Sequence, residues 1–364
     1  MRNAPDKIFL GTVIILVFAG IFILASASMG LLTRNGPDFL NTLFHQILFG
    51  IICGFAGLFI ISRINYKKWR KYALPFFVFT FLLTLLVFVP KIGLEYGGAK
   101  RWLNLGFVSF QPSEILKFGF VVYLSAWIVS RKSEIKSFRF GFIPFLLIIA
   151  FVSLVLILQK DVGTLGVFAI TSLALFFLGG GRFSQVALLI ILGIGLLAGL
   201  VYLEPYRLDR FRTFLNPKVD PTGISYQSRQ ALIALGSGGI FGRGFGMSVQ
   251  KFNYLPEPIG DSVFAVFGEE FGFAGSLVLL GLFLFFLYRG FSIALRAPDD
   301  FGRLLGAGIA ILIAAEAFIN IAAMVGVVPL TGIPLVFVSK GGSALLVTLA
   351  EVGVLLNISR YSKG

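Results

Sequence analysis

The chain has 364 residues, of which 57% are hydrophobic and only 13% charged; so few charges cannot cover that much apolar surface, which excludes a soluble globular domain and leaves a membrane protein with several spans. A single Cys (Cys53) and a single His (His45) exclude an intrachain disulfide, a structural zinc site and a triad built with several histidines. The formal net charge of +14 is scattered over short loops between apolar runs, a pattern of membrane topology and anionic-lipid contact, not of nucleic-acid binding.

A helix needs about 20 apolar residues to cross a bilayer. By that criterion there are ten candidate spans, at roughly 8–28, 44–62, 72–90, 111–130, 141–158, 162–180, 185–203, 262–288, 302–325 and 334–356. The first run reaches spanning length without a convincing cleavage site, so no cleavable signal is expected. Arg63, Lys67, Lys68, Arg70 and Lys71 follow the second span, and Arg131, Lys132, Lys136 and Arg139 follow the fourth. Arg182, Arg289, Arg296, Arg303, Arg360 and Lys363 fall on the same side as Arg2 and Lys7, while the first alternate loop carries Arg34 alone. The positive-inside rule then predicts an all-α polytopic membrane protein with both termini in the cytoplasm. No period of 20–50 residues marks a repeat array. No matched pair of broken helices marks an inverted-repeat transporter. One integral-membrane domain, 1–364, is expected, with a large extracellular loop at about 204–261 between helices 7 and 8.

Four polar clusters are predicted on that outer face. The first runs from Gly97-Gly98-Ala99-Lys100-Arg101-Trp102 to Gln111-Pro112-Ser113-Glu114 and Lys117. Pro112 suits a first helical turn. Glu114 and Lys117 share a helix face and can pair, either as a structural ion pair or with Lys117 holding a phosphate. The second is Gln159-Lys160-Asp161-Val162-Gly163-Thr164, a tight turn in which Asp161 fits a helix cap. In the large loop, Tyr206, Arg207, Asp209, Arg210 and Arg212 are followed by Asn216 to Pro221, Tyr226-Gln227 and the glycine-rich run 234–246. Glycines allow close backbone approach and guanidinium groups grip phosphate, a combination suited to a lipid pyrophosphate, whereas no Walker spacing supports a nucleotide. The fourth cluster is 328–343, irregular sequence at membrane depth, which is tolerated only inside protein or along a wet cavity. Glu316 and Asn320, four apart in the ninth span, read as a packing pair facing the bundle interior.

The stretch 254–272 closes the large loop. Pro256 and Pro258 stiffen it, and Asp261 stands where an apolar helix begins, a favourable place for a capping carboxylate. Glu269 and Glu270 then lie one or two turns inside the hydrophobic helix, where charge is costly and by default functional.

Together and in this order, the clusters resemble the SEDS family of peptidoglycan polymerases, of the FtsW and RodA type, over nearly the whole chain. The carriers are Phe214-Leu-Asn-Pro with Asp220-Pro221, Tyr226-Gln227, Gly236-Ser-Gly-Gly, Leu255-Pro-Glu with Asp261, and Thr331-Gly-Ile-Pro with Ser339 and Gly341-Gly-Ser. The run Gln250 to Pro258 is closer to the division type. The resemblance implies lipid II, a disaccharide-pentapeptide on undecaprenyl pyrophosphate, as substrate and a class B penicillin-binding protein as partner. It puts the family's essential aspartate on Asp261 and its helix-4 Glu and Lys on Glu114 and Lys117. The chain departs from the family at Ile259-Gly260, where members usually read His-Thr, at Lys160, where they commonly read Pro, and at Lys340, often Tyr.

In such a reaction the 4-hydroxyl of one sugar attacks the anomeric carbon of another, and Asp261 is the expected general base. A helix N-terminus would lower its pKa and burial would raise it. Lys117, Arg101 and Arg210 are candidates for the leaving pyrophosphate, with Lys160, Asp161, Ser339 and Lys340 as further substrate-binding candidates. The sequence marks no cofactor site, although hard oxygen ligands suit a divalent cation, Mg or Mn. Lys117→Ala is expected to lose polymerisation and keep its fold. A lipid-linked precursor flippase and a scaffold for a penicillin-binding protein are the rival readings, and both should tolerate Asn at position 261.

Overall fold

Lipid offers a backbone no hydrogen-bond partners, so the apolar runs of this chain satisfy their amides and carbonyls internally as helices. The computed structural model describes residues 4–33, 36–96, 98–104, 106, 109–203, 208, 211, 214 and 225–362. In chain order the helices are α1 (Lys7–Ser28), α2 (Gly36–His45), α3 (Cys53–Arg63), α4 (Lys67–Lys71), α5 (Ala73–Leu85), α6 (Pro112–Ser130), α7 (Ile143–Leu158), α8 (Val162–Leu178), α9 (Phe183–Leu203), α10 (Tyr226–Ser237), α11 (Val263–Leu295), α12 (Asp300–Met324) and α13 (Gly342–Ser359). A π-helical turn, Gln46–Ile52, joins α2 to α3 in one span. Among the described residues, eight helical stretches are long and apolar enough to cross a membrane. Two shorter apolar helices, Ala73–Phe88 and Val162–Leu178, stand at the expected third and sixth spans. The two chain ends meet at one face, where the Asp6 amide donates to Ser359 Oγ at 3.0 Å.

Helix α12 is the axis of the bundle: it packs against α6, α8, α11 and α13, and its apolar window is 83% buried, against 17% for the peripheral α9. Small residues allow the close crossings, since side chains are all that separate packed helices in lipid. A side chain at Gly290 of α11 would press on Ala310, and one at Gly308 of α12 on Val121 and Leu175.

Three features depart from the sequence expectation. The last span begins at Gly342, eight residues later than expected. Residues 325–341 are irregular because Pro329 and Pro334 interrupt the amide ladder and Gly326 and Gly332 take positive φ. The protein is also not purely helical. Between the third and fourth spans, β1 (Gly93–Tyr96), β2 (Ala99–Asn104) and β3 (Ser109–Phe110) form an antiparallel sheet in that order.

The third feature is a break inside α11. Gly272 takes φ 67° and ψ −165°, a region only glycine enters readily. The interrupted helix leaves backbone groups unpaired, and the glycine-rich loop satisfies them. Arg243 N and Gly244 N donate to the Glu269 and Glu270 carbonyls at 3.1 and 2.9 Å. Phe273 N and Ala274 N donate to the carbonyls of Gly239 and Ile240 at 2.9 and 3.0 Å. A Cβ at position 272 would also collide with the backbone of Ile240 and Gly242. Gly272→Ala is therefore expected to destabilise the fold by more than about 3 kcal/mol, adding steric overlap to the cost of a disallowed backbone. Thermal melting of the detergent-solubilised protein measures it; a melt unchanged from the parent would contradict the account.

Candidate functional site

Asp261 lies just before α11, but it does not cap that helix. Ser262 holds the N-cap position, and the Asp261 carboxylate instead accepts a hydrogen bond from Gln227 Nε2 of α10 at 3.0 Å. The same amide nitrogen donates to Ser262 Oγ at 3.0 Å. Burial pushes the Asp261 carboxyl up, and the Glu257 charge beside it adds to this, against the Gln227 and Ser262 hydrogen bonds; the pKa is raised to about 6. Of the two opposing influences expected from sequence, desolvation dominates.

The backbone around this carboxylate is pinned from two directions. Asn320 Nδ2, in α12, donates to the Asp261 carbonyl and to the Ile333 carbonyl, each at 2.7 Å. Ser339 Oγ donates to the Gly260 carbonyl at 2.6 Å and accepts from Leu335 N at 2.7 Å. Lys340 N donates to the Ile259 carbonyl at 2.8 Å, while the Lys340 side chain is exposed. Gln46, in the π-helical turn, supports the other flank by accepting from Gly341 N at 3.0 Å. The irregular segment 325–341 is thus a cradle for the Asp261 turn. Asn320 and Glu316 both face the bundle interior, as the packing reading had it, and each serves a different partner.

The first two polar clusters join this wall. A side chain at Gly163, in the first turn of α8, would strike the Thr331 carbonyl and Ile333, so the α8 start lies against the cradle. Asp161 is the N-cap of α8, accepting from Thr164 N at 3.3 Å and Thr164 Oγ1 at 2.9 Å. Arg101 of β2 lies 3.7 Å from the same carboxylate and donates to the Lys160 carbonyl. Lys160 itself is exposed and takes a positive φ of 57°. Gln111 Nε2 approaches Asp161 at 3.5 Å. Arg210, with the loop residues 204–207, 209–210, 212–213 and 215–224, lies outside the described residues.

Lys117 is placed differently from the substrate-contact expectation. It is 5% exposed, with Nζ 3.0 Å from Glu114 and in direct contact with Glu316. Glu351 of α13 stands within electrostatic reach of all three. An ammonium held between two buried carboxylates has no free face for a pyrophosphate, so this group ties α6 to α12. Glu316 is one turn from Asn320, about 6 Å along the axis. The charged cluster therefore underlies the site without opening onto it.

Glu269 and Glu270 also have a structural assignment. Glu269 accepts from Ser248 Oγ at 2.6 Å and from the amides of Val249 and Gln250 at 3.2 Å each. Glu270 accepts from Ser26 Oγ and from Lys251 Nζ at 2.8 Å, and Lys251 is fully buried. The two carboxylates fold the loop 243–251 against α1 and α11. Among the described residues no group of three or more His, Cys, Asp or Glu could hold a metal ion. Reading the sequence put Gln227 in the loop cluster without a partner and missed Gln46, because amide partners more than 30 residues away carry no local spacing signal. Glu351 was readable as an intramembrane carboxylate.

Comparison with known proteins matches residues 6–364 to the family described as "Cell cycle protein", of FtsW, RodA and SpoVE. Stage V sporulation protein E of Bacillus subtilis (strain 168) is 39% identical over 362 residues, covering 100% of this chain and 99% of that protein. The probable peptidoglycan glycosyltransferase FtsW of Geobacter sp. (strain M18) is 40% identical over 364 residues, covering 99% and 98%. Two solved structures are each 27% identical and cover 99% of both chains. One comes from work on the structural coordination of polymerization and crosslinking by a peptidoglycan synthase complex, with a TM-score of 0.78. The other is the rod shape determining protein RodA of Thermus thermophilus, with a TM-score of 0.71.

Proposed function

The chain belongs to the FtsW/RodA/SpoVE family, and from that premise we propose that it polymerises lipid II with Asp261 as general base. It is a peptidoglycan glycosyltransferase, a multi-pass protein of the bacterial cytoplasmic membrane. The observation that carries the assignment of Asp261 is its setting: a carboxylate not used as a helix cap, raised to about 6, on a backbone pinned at Ile259, Gly260 and Asp261. A base poised near the working pH maximises the product of correct protonation and proton-transfer drive.

The 4-hydroxyl of the acceptor sugar gives its proton to an Asp261 oxygen as its own oxygen bonds to the anomeric carbon of the donor. The bond from that carbon to the pyrophosphate oxygen breaks, and the electron pair leaves with the pyrophosphate. Exposed Lys340 and Lys160 and half-buried Arg101 can neutralise the developing charge. Lys117 is withdrawn from that role. A divalent cation held by protein carboxylates alone does not fit the described residues, since no suitable cluster exists among them. The reading sets both termini in the cytoplasm and the Asp261 turn at the outer face, where a class B penicillin-binding protein would take over the nascent strand.

Purified protein, with and without such a partner, is supplied with labelled lipid II in detergent and its products are separated by length. Glycan chains longer than the disaccharide are expected. Lipid translocation in vesicles with no glycan product would support the flippase reading instead. The rate at saturating lipid II should hold a plateau above pH 6 and fall tenfold per unit well below it, because protonation removes the base.

A further inference from the structure

Asn320 is 1% exposed, sits on the central helix α12, and has no place in the proton transfer. Its side chain nevertheless bonds the main chain on two sides. Two short hydrogen bonds of 2.7 Å run from one nitrogen to two main-chain carbonyls, those of Asp261 and Ile333. Carbonyls only accept, so the chemistry fixes the amide orientation: a flipped side chain would set its oxygen against both. Both Nδ2 hydrogens are thereby used. The remaining atom, Oδ1, is buried with no hydrogen-bond partner among the described residues.

An unpaired buried acceptor costs stability, and an apolar side chain of the same size would be free of that cost. What Asn320 supplies in return is a link at Ile333 and Asp261 between two stretches that Ser339 and Lys340 join only at Gly260 and Ile259. One is the turn carrying the carboxylate; the other is the proline-interrupted cradle, whose backbone lacks a helical ladder. Its root is firm, because α12 is the most buried span and is tied to α6 one turn away by Glu316 and Lys117. The amide transfers that rigidity to the catalytic turn.

We propose that Asn320 is a positioning residue for glycosyl transfer, locking the Asp261 turn to the cradle at Ile333 through its two amide hydrogens. The inference rests on the assignment of Asp261 as the base. Asn320 touches no substrate in this scheme; it sets where the carboxylate stands when the acceptor hydroxyl arrives. The charged groups around the turn are Glu257 on its own loop, Lys340 on the cradle, and the buried Lys117, Glu114, Glu316 and Glu351 below. None of these is changed by a substitution at position 320.

The test compares Asn320→Leu, which keeps the size and removes both donors, with Asn320→Ser and Asn320→Gln, which restore one or both. Lipid II binding, polymerisation at saturating substrate, and the pH profile are measured on the folded, monodisperse fraction of each. For Asn320→Leu, the plateau rate should fall at least tenfold with lipid II affinity within about threefold of the parent, roughly the scale of geometric misplacement. Its acid limb should move to lower pH, because a loosened turn exposes the carboxylate and relieves the desolvation that raises it. Asn320→Gln or Asn320→Ser should recover part of the rate. The proposal is overturned if the folded Leu variant keeps the parent's rate and acid limb. Should the Leu variant not fold, the Ser variant decides: an unchanged limb and rate count against the proposal. Failure of the base assignment is separate, since it would leave Asp261→Asn active.

Discussion

Asp261→Asn is expected to bind lipid II nearly as well as the parent, to fold at least as firmly, and to make no glycan chains. Asn keeps the shape and still accepts from Gln227, so the turn and its pins survive. What it removes is the proton acceptor, typically worth ~10²–10⁴ in rate. The stability half of the prediction has a definite sign. The folded carboxyl titrates at about 6 and the ordinary value is 3.8, so the folded state resists ionisation. Above pH 6 the ionised carboxylate costs the parent up to about 3 kcal/mol, a cost the Asn variant escapes. As pH falls from 6 to 3.8 the carboxylate picks up its proton in the fold and the difference fades. Melting curves at pH 8 and pH 4 read it. A variant less stable than the parent at pH 8 would mean that the negative charge itself holds the turn, as a ligand or ion-pair member would.

Lys117→Ala is expected to cost the fold about 3–5 kcal/mol, the usual price of leaving a buried charge without its partner. This replaces the expectation that the variant loses activity alone. Glu114 and Glu316 would face each other across the α6–α12 contact with no cation between them. The exchange Glu114→Lys with Lys117→Glu cannot diagnose a structural role either, because Glu316 would then meet a carboxylate at position 117. A neutral set separates the roles: Lys117→Met with Glu114→Gln and Glu316→Gln removes the three paired groups together and leaves Glu351 as the carboxylate beside them. If Lys117 is structural, as its burial indicates, this triple variant should melt near the parent and retain polymerisation within about tenfold. A stable but inactive triple variant would return Lys117, or its carboxylate partners, to the chemistry.

These positions also mark how far the sequence could be read. The spans were legible because bilayer thickness imposes a length on any apolar run. The tenth was misjudged at its start, since Leu335-Val-Phe-Val counts as apolar whether or not it is helical, and hydropathy does not register the prolines before it. The break at Gly272 was invisible for a similar reason: one glycine in an apolar helix is ordinary, and only the loop that fills the gap makes this one special. Asp161 declared its capping role locally, through a partner three residues on. The pair Glu114 and Lys117 was legible from helical spacing, but Glu316, 199 residues beyond Lys117, was not. That distant carboxylate favours the buried tie over the phosphate grip, the two readings that the spacing left open. The sheet of residues 93–110 escaped because its strands are short and carry little alternation.

The central claim, that Asp261 takes the proton in chain growth, is tested most directly by the pH dependence of polymerisation at saturating lipid II in parent and Asp261→Asn. The account predicts an acid limb near pH 6 in the parent. In the variant, any residual rate should lie at least about a hundredfold lower at pH 8 and show no limb there. A variant that polymerises within about tenfold of the parent and keeps the same limb would contradict it, and the base would have to be sought elsewhere.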